Sequence, residues 1–309
     1  MAQEKGEECG VVGIVSNKNV SRDLFYALRI IQHRGQESAG IAVYNKGIEC
    51  VKGMGLVHEV FSKDVLGELN GNAGIGHVRY STTGSSKLEN AQPVSVKTNY
   101  GEIAIAHNGD LVNADELREE LQKKGWAFIT ETDSEIILRV LANEISSTKN
   151  IHRAIKNLTS KLVGSYSIVL LFNNRVLAIR DPLAIKPLCI GRKNDMAIAA
   201  SESVIYDMLG AKFLRDLEPG EILELKSKKN HFIKLPRPKN SAHCMFEWVY
   251  FARPDSVLDG HLVYGVRKKI GEELAVEHPV KADVVIPIPD SGRAQAEGFS
   301  SVSKIPISE

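Results

Sequence analysis

The residue of this chain whose type and position best suit chemistry is Cys9, in the segment ECGVVGI. Eight residues, MAQEKGEE, precede it, and they carry too few apolar side chains to form an element. Their removal would leave a cysteine with a free α-amine beside its own thiol. The amine titrates at about 7.7–8.0 and the thiol at about 8.5, so the amine can take the thiol proton near neutral pH. This pattern predicts a nucleophile that carries its own base; the alternative for a lone cysteine is a small buried residue that opens a strand.

Two further segments offer groups that amide hydrolysis requires. Asn108 and Gly109 end a predicted strand. An asparagine NH₂ and a glycine N–H can donate to a developing oxyanion, and such a donor is worth about 2.7–4 kcal/mol. Asn-Gly is also a common turn signal. Arg79 precedes a hydroxyl-rich loop, and its planar guanidinium suits a carboxylate, although a surface arginine explains it equally well.

Two more charged residues are candidates for the same site. Asp133 lies in the first turn of a predicted helix, where its carboxylate either receives a substrate ammonium or belongs to the capping region. Arg34 lies in QHRGQESAG, a polar helix end between two apolar elements, and a solvated C-terminal cap explains it about as well as a site does. Each signal is weak alone. Together, and in this order along the chain, they indicate amide hydrolysis.

The elements that must position these residues are predicted as strands, then a group of helices, then strands again. Strands are predicted at 10–16, 40–44, 47–52, 73–77 and 102–107, with a hairpin of 165–172 and 175–180 that turns at Asn173-Asn174. Helices are predicted at 21–31, capped by Ser21, at 113–124 and 132–145, opened by the capping boxes Asn113/Glu116 and Thr132/Glu135, and at 151–162. This order is typical of an α+β protein, not of a βαβ alternation.

The character of the sequence changes after a polar stretch at 226–243, which we interpret as a boundary. Residues 260–277 are predicted to be helical, 282–288 form a continuous apolar run typical of a buried parallel strand, and a PDSG loop follows at 289–292. One helix and one strand do not complete a doubly wound domain. We therefore predict a leader at 1–8 that is removed on maturation, a first domain at 9–240 and an incomplete second domain at 241–309.

Composition narrows the class of protein. At 309 residues the chain has room for two domains, and 43% hydrophobic with 25% charged residues is ordinary for a soluble globular protein. Lysine plus arginine (39) nearly balances aspartate plus glutamate (38), which argues against nucleic acid and anionic membranes as partners. The sequence shows neither an apolar leader nor a run of membrane-spanning length, and its four unpaired cysteines fit free thiols in the cytoplasm.

Together these segments resemble the glutamine phosphoribosylpyrophosphate amidotransferases. The resemblance runs from Cys9 to the last residue, and FARPDS followed by PIPDSG separates it from other amidotransferases with an N-terminal cysteine. The motifs that carry it are CGVVGI, QHRGQESAGIAVY, GHVRYSTTGSS, AHNGDLVNADELR, TDSEIIL, SESVIYDMLGA, LEPGE and FEWVYFARPDS.

The resemblance implies a four-layer αββα sandwich of the N-terminal-nucleophile hydrolase class, followed by the start of an α/β phosphoribosyltransferase domain. It also implies a role in glutamine hydrolysis for each candidate residue. These roles are nucleophile for Cys9, oxyanion hole for Asn108 and Gly109, binding of the substrate α-carboxylate for Arg79 and of its α-amine for Asp133, and closure of the site for Arg34. The ammonia released would attack C1 of phosphoribosyl pyrophosphate, with magnesium present, to give phosphoribosylamine and pyrophosphate in the first step of purine biosynthesis.

Two positions of the second region are implied as metal ligands. Ser291 matches a magnesium-site position whose two acidic partners would lie past Glu309, and a helix N-cap is its alternative. Cys244 stands where members with a [4Fe–4S] cluster carry one of four thiolates, and a buried free cysteine is its alternative. The other three thiolates would also lie past Glu309.

Two functional alternatives stay open beside the purine enzyme. One is another amidotransferase with an N-terminal cysteine that passes ammonia to a sugar phosphate or to aspartate. The other is a truncated product that is non-catalytic or hydrolyses glutamine only. The complete protein is expected to be a homo-oligomer.

Overall fold

Two β-sheets packed face to face form the centre of this computed structural model, which describes residues 9–80, 85–228, 231–234 and 240–309. The seven-stranded sheet has the strand order β11-β9-β10-β1-β4-β2-β3, and the six-stranded sheet has the order β13-β12-β8-β7-β6-β5. The strands of the first sheet are β1 (Cys9–Val15), β2 (Ser38–Tyr44), β3 (Ile48–Met54), β4 (Ala73–Arg79), β9 (Cys189–Lys193), β10 (Met196–Ala200) and β11 (Lys212–Asp216). Those of the second are β5 (Val94–Thr98), β6 (Gly101–Leu111), β7 (Gly164–Phe172), β8 (Arg175–Arg180), β12 (Glu221–Leu225) and β13 (His231–Lys234).

Helices cover the outer faces of both sheets. Those on the first sheet are α1 (Ser21–Ile30), α2 (Val57–Val60), α3 (Lys63–Glu68) and α7 (Val204–Leu209). Those on the second are α4 (Ala114–Lys123), α5 (Asp133–Thr148) and α6 (Ile151–Thr159). Short 3₁₀ turns lie at Gln32–Arg34 and Leu88–Asn90. The predicted αββα sandwich is therefore confirmed.

The core of the sandwich consists of three apolar layers, because side chains alternate between the two faces of each strand. In β1, Val12 and Ile14 pack against the helices, whereas Val11 faces the second sheet. In β6, Ala104 and Ala106 face the first sheet. The strand residues between the two sheets are mostly alanine, valine and leucine, so the layer that separates the sheets is apolar along most of its length.

The region after residue 240 packs its own elements together. It contains a π-helical turn (Glu247–Phe251), a two-stranded hairpin of β14 (Val257–Leu258) and β15 (His261–Leu262), and the helices α8 (Val263–Glu277) and α9 (Gly292–Ser303). The two helices approach so closely that a Cβ on Gly271 would meet the Gln295 carbonyl at 1.9 Å. The helix predicted at 260–277 is confirmed.

The apolar run at 282–288 does not form the buried strand that its composition predicts. A single parallel bridge joins Val285 to Ile307, and the neighbouring Ile286 and Ile288 are 65% and 80% exposed. No sheet among the described residues pairs with this run, so Val284, Ile286 and Ile288 stay exposed. Val285 is half-buried and Pro287 is buried.

The helix starts also differ in detail from the prediction. Both capping boxes are wrong. Asn113 instead bonds the Lys161 carbonyl and the Val163 amide, and the Glu135 carboxylate accepts from the Ile129 and Thr130 amides. Asn19, not Ser21, accepts a backbone N–H at the start of α1. Asn113 is bonded to residues 48 and 50 positions away, whereas Glu135 and Asn19 bond amides within six positions along the chain.

Part of the sequence-based prediction falls outside the described residues. The leader at 1–8, residues 81–84 of the hydroxyl-rich loop, and residues 229–230 and 235–239 of the polar boundary are of this kind. The division at residue 240 stays a prediction.

Candidate active site

The layer between the sheets becomes polar at one end. Along β4 the inward positions change from Ala73 and Ile75 to His77 and Arg79, and along β6 they change from Ala106 to Asn108. Cys9 begins β1 and lies directly opposite Arg79 in the antiparallel pair with β4. Both β1 and β4 contact β6. The fold therefore gathers a thiol, a guanidinium and an amide, from positions 9, 79 and 108, at one end of the sandwich.

Cys9 is partly buried, and its Sγ donates weakly to the Tyr80 carbonyl at 3.7 Å. Burial raises the pKa of this thiol to about 11, against smaller opposing effects of the Tyr80 carbonyl and of the Arg79, Lys186 and Arg34 charges. A thiol with such a pKa is protonated at neutral pH. Reaction at Cys9 would therefore require a base, and the free α-amine that processing would create is a base at the right place.

Asn108 lies on β6 on the same face as Ala104 and Ala106, which faces the first sheet, and Gly109 follows it. Asn108 is 1% exposed, and its buried Nδ2 has no hydrogen-bond partner within the described part of the chain. Gly109 has φ of +149°, and a Cβ there would meet the Ser165 carbonyl at 2.1 Å, so only glycine fits. A buried amide donor without a partner is what an oxyanion site requires before substrate binds.

Arg79 is nearly fully buried and its Nη1 donates to Glu37 Oε1 at 2.6 Å. Glu37 precedes β2, whose first residue, Ser38, is directly opposite Arg79. This pair orients the guanidinium at the polar end of the sandwich. Sequence analysis did not identify Glu37 as a site residue. The only sequence signal for it is its position just after the QHRG segment.

Asp133 opens α5 on the helix side of the second sheet, beside the end of β6. Its Oδ2 accepts from the Leu111 amide at 3.2 Å and its Oδ1 lies 3.5 Å from His107 Nδ1. Burial alone would raise the pKa of Asp133, but His107 and the backbone amides of Leu111 and Ser134 outweigh burial and hold this pKa below its ordinary value. The carboxylate is therefore negative next to the strand that carries Asn108 and Gly109, as recognition of an ammonium requires.

Arg34 is bonded through its side chain to the backbone of Cys9 itself. Its side chain is fully buried, and its Nε donates to the Cys9 carbonyl at 2.9 Å. Its two terminal nitrogens bond Glu202 and Glu247 at 2.6–2.9 Å. Arg34 thus contacts the backbone of the nucleophile, and its terminal nitrogens are already paired with two carboxylates.

His77 is a further site residue that sequence analysis missed. It is fully buried, its Nε2 donates to the His107 carbonyl at 3.1 Å, and it joins the two sheets below Arg79. Burial lowers the pKa of His77 to about 3, so the ring is neutral. The alternation of β4, which puts His77 and Arg79 on one face, is the signal that identifies it.

The two metal-ligand candidates lie in the region after residue 240. Ser291 precedes α9 and lines a cavity of about 340 Å³ with Asp290, Arg253 and Arg267. A hydroxyl and one carboxylate fit a magnesium ion that takes its other ligands from substrate phosphates and water, and the two arginines suit the same phosphates. Ser291 therefore fits the implied magnesium site in part.

Cys244 does not fit a [4Fe–4S] cluster within the described part of the chain. The four cysteines are free thiols, and Cys189 is bonded by Tyr206 Oη at 3.4 Å. Within the described ranges, one group of three donors could hold a metal ion, and it consists of His152, Glu224 and His231. This group contains no cysteine, and its Glu224 is already paired with Arg175. A cluster needs four thiolates together, so the role of Cys244 as a cluster ligand stays a prediction.

Among the described helices, none has the length and apolar character needed to cross a bilayer.

Comparison with known proteins agrees with this geometry. Residues 77–206 match the family model described as a glutamine amidotransferase domain. An amidophosphoribosyltransferase from Methanothermobacter thermautotrophicus is 51% identical over 310 residues, which are 99% of this chain and 65% of that protein. One from Methanocaldococcus jannaschii is 50% identical, over 97% of this chain and 68% of that protein.

Solved structures give the same result. Glutamine phosphoribosylpyrophosphate amidotransferase from B. subtilis complexed with ADP and GMP superposes with a TM-score of 0.91 at 37% identity, covering 97% of this chain and 65% of that one. A structure described as the allosteric regulatory enzyme of purine biosynthesis gives 0.92 at 37% identity, covering 97% and 64%. The chain spans about two thirds of the length of these relatives. Its identity to them along nearly its whole length shows that the chain belongs to the amidophosphoribosyltransferase family.

Proposed function

We propose that this chain hydrolyses the side-chain amide of glutamine at Cys9, and that the whole protein transfers the ammonia to phosphoribosyl pyrophosphate. The observation that carries the first half is the meeting of Cys9, Arg79 and the unpartnered Asn108 amide at one end of the sandwich. Family membership supports the second half.

The proposed chemistry begins with the α-amine of processed Cys9, which takes the thiol proton. The thiolate attacks the amide carbon of glutamine, and the carbonyl oxygen becomes an oxyanion that Asn108 Nδ2 and the Gly109 N–H stabilise. The tetrahedral intermediate collapses when the α-ammonium returns its proton to the leaving nitrogen, which departs as ammonia. Water then hydrolyses the thioester to glutamate and regenerates the thiol.

Substrate recognition follows from the two charges beside this centre. The Arg79 guanidinium binds the α-carboxylate in place of, or together with, Glu37, and the charged Asp133 carboxylate binds the α-ammonium. Since both groups are fixed by the fold before substrate arrives, the amide is delivered to Cys9 in one orientation.

The transfer half belongs to the region after residue 240. Ammonia attacks C1 of phosphoribosyl pyrophosphate, the C–O bond to pyrophosphate breaks, and 5-phosphoribosylamine forms after loss of one proton. Magnesium, when bound, neutralises the pyrophosphate leaving group. Ser291 and Asp290 would hold it, and Arg253 and Arg267 face the same cavity.

Assembly and compartment complete the proposal. The exposed apolar residues Ile286 and Ile288 support association with further protein surface, in line with a homo-oligomer. Free thiols throughout the described chain support a reducing compartment such as the cytoplasm.

The direct test is glutamate release by purified protein whose N-terminal residue is verified as Cys9 by mass spectrometry. We expect turnover by the wild type, none by Cys9→Ser, and covalent labelling of Cys9 by a diazoketone analogue of glutamine. An absence of glutamate release by the wild type would contradict the proposal and favour the non-catalytic alternative. If glutamine hydrolysis occurs but phosphoribosyl pyrophosphate does not stimulate the intact protein, an acceptor such as a sugar phosphate or aspartate is favoured instead.

A further inference from the structure

A buried ionic network extends from the nucleophile into the region after residue 240. Its centre is Arg34, which donates from Nε to the Cys9 carbonyl and from both terminal nitrogens to carboxylates. One of these carboxylates, Glu247, belongs to the π-helical turn of the second region and accepts at 2.9 Å and 2.6 Å from Nη1 and Nη2. One guanidinium therefore holds the backbone of residue 9 and a side chain 238 positions further along the chain.

The second carboxylate, Glu202, anchors the same region from the other side. It is fully buried and accepts from His33 Nε2 at 2.8 Å as well as from Arg34. Its other oxygen accepts from the Arg253 amide at 3.0 Å and from Ser256 Oγ at 2.7 Å. Glu202 thereby fixes the start of the FARPDS segment against the end of β10.

The charges of this network depend on one another. Burial alone would raise the pKa of Glu202, but the charge of Arg34 and the His33 contacts outweigh burial and hold this pKa far below its ordinary value. Two carboxylates share one fully buried guanidinium, so neutralising one of them weakens the electrostatic attraction that holds Arg34 in place. The Arg34 side chain can then shift, and its hydrogen bond from Nε to the Cys9 carbonyl lengthens or breaks.

The Cys9 carbonyl is where a shift of Arg34 affects the nucleophile. Cys9 is the first residue of β1, and its carbonyl fixes the peptide plane between Cys9 and Gly10. Rotation of this plane turns the Cys9 side chain relative to Asn108. A nucleophile that is misplaced by about 1 Å loses on the order of 100-fold in rate.

We propose that Glu247 is a positioning residue for Cys9: acting through Arg34, it sets the orientation of the nucleophile from the region that follows the hydrolase sandwich. The inference rests on the proposed function, since it concerns glutamine hydrolysis at Cys9. It assigns to Arg34 the role of a connector between the two regions, in place of direct contact with glutamine.

The test compares Glu247→Gln with the wild type in the glutaminase assay. The substitution keeps the side-chain shape and removes the charge. We expect kcat to fall about 10- to 100-fold while the KM for glutamine stays within about threefold, because Arg79 and Asp133 are unchanged. Labelling of Cys9 by the diazoketone analogue should slow in parallel. Glu247→Asp, which keeps the charge, should recover part of the loss.

Glu221→Gln is the matched control. Glu221 is equally buried and bonds Arg215 through both oxygens at 2.6 Å, but it lies on β12, and its hydrogen-bond partners among the described residues, Arg215 and the Glu218 amide, are not part of the Cys9 network. We expect this variant to lose stability and to keep its kcat. The readouts are kcat, KM and the urea midpoint of each variant.

Each outcome decides the inference. A kcat of Glu247→Gln within twofold of the wild type, or an equal loss of kcat in Glu221→Gln, would overturn it while leaving the proposed function intact. If Glu247→Gln does not fold, a wild-type kcat in Glu247→Asp together with a wild-type kcat in Arg34→Lys overturns it, because neither variant preserves the full geometry. Failure of the wild type to hydrolyse glutamine would instead refute the proposed function.

Discussion

Asn108→Ala is the sharpest test of the site, because the structure predicts a large loss of rate and little change in stability. Among the described residues the amide Nδ2 of Asn108 is buried without a partner. Such a group is a preorganised donor for the oxyanion and an unfavourable feature of the resting protein. Loss of one oxyanion donor costs about 2.7–4 kcal/mol of transition-state stabilisation, or roughly 100- to 1,000-fold in kcat. The KM for glutamine should stay within about threefold, since Arg79 and Asp133 still hold the substrate.

The unpaired Asn108 amide also determines the expected stability of the Asn108→Ala variant. An unpaired buried polar group costs about 1–3 kcal/mol, and its removal offsets the packing that the shorter side chain loses. We therefore expect the free energy of unfolding of Asn108→Ala to lie within about 1 kcal/mol of the wild type.

Asn113→Ala is the control for this prediction. Asn113 makes two hydrogen bonds, to the Lys161 carbonyl at 2.8 Å and from the Val163 amide at 3.0 Å, and their loss should cost about 1–3 kcal/mol of stability without changing kcat. Glutamate release and urea unfolding of the two variants provide the measurements. A kcat of Asn108→Ala within threefold of the wild type would refute the assignment of the oxyanion site.

Four further predictions concern the charged and titratable groups. Arg79→Ala should raise the KM for glutamine at least tenfold, because charge-assisted hydrogen bonds contribute about 1.5–3 kcal/mol, and an unchanged KM would remove Arg79 from the site. The value of kcat/KM should rise with pH through the α-amine pKa of about 7.7–8.0, because that amine must be neutral to act as base. The buried Cys9 thiol, with a pKa of about 11, stays protonated until the amine takes its proton. Protein that retains residues 1–8 should lack this activity, and good turnover by it would refute the self-activated nucleophile. The pKa of Glu202 is lowered in the folded state, so its contribution to stability is present above the unfolded value of about 4.3 and is lost as pH falls through the folded value. Urea unfolding between pH 3 and 7 should therefore show a flatter acid limb for Glu202→Gln, and an unchanged limb would contradict this reasoning.

Local pattern was sufficient for much of the fold. The alternation and turn signals of the Ser165–Arg180 hairpin, and the apolar stripe of α1, involve neighbours within one or two turns of the chain, so sequence alone specifies them. The motifs at Cys9, Arg79 and Asn108 located three residues that the fold then brings to one end of the sandwich. Whether these residues act as predicted stays to be tested by the variants above.

The rest depends on contacts between distant parts of the chain. Arg34 pairs with Glu202 and Glu247, which lie 168 and 213 positions away, and no local pattern specifies such partners. The Asn113 capping box failed for the same reason, since Asn113 bonds Lys161, 48 positions away. The Thr132/Glu135 box failed locally, because Glu135 accepts from the Ile129 and Thr130 amides, six and five positions before it. The 282–288 run failed because a continuous apolar run predicts a buried strand only when neighbouring strands are available to cover it.

The position of Cys9 in β1 has a consequence for thermal motion. The ends of most chains fray, because few contacts hold them. Here Cys9 and Gly10 pair with Arg79 and Val78 of β4, and the Val11 amide donates to Ser201 Oγ just beyond β10. Arg34 additionally holds the Cys9 carbonyl. After processing, the terminal residue would therefore be among the least mobile of the protein, and the amides of Gly10 and Val11 should exchange with deuterium at the slow rates of the sheet centre. An enzyme that uses its own first residue as nucleophile avoids the entropic penalty of a mobile terminus by beginning its chain within a sheet.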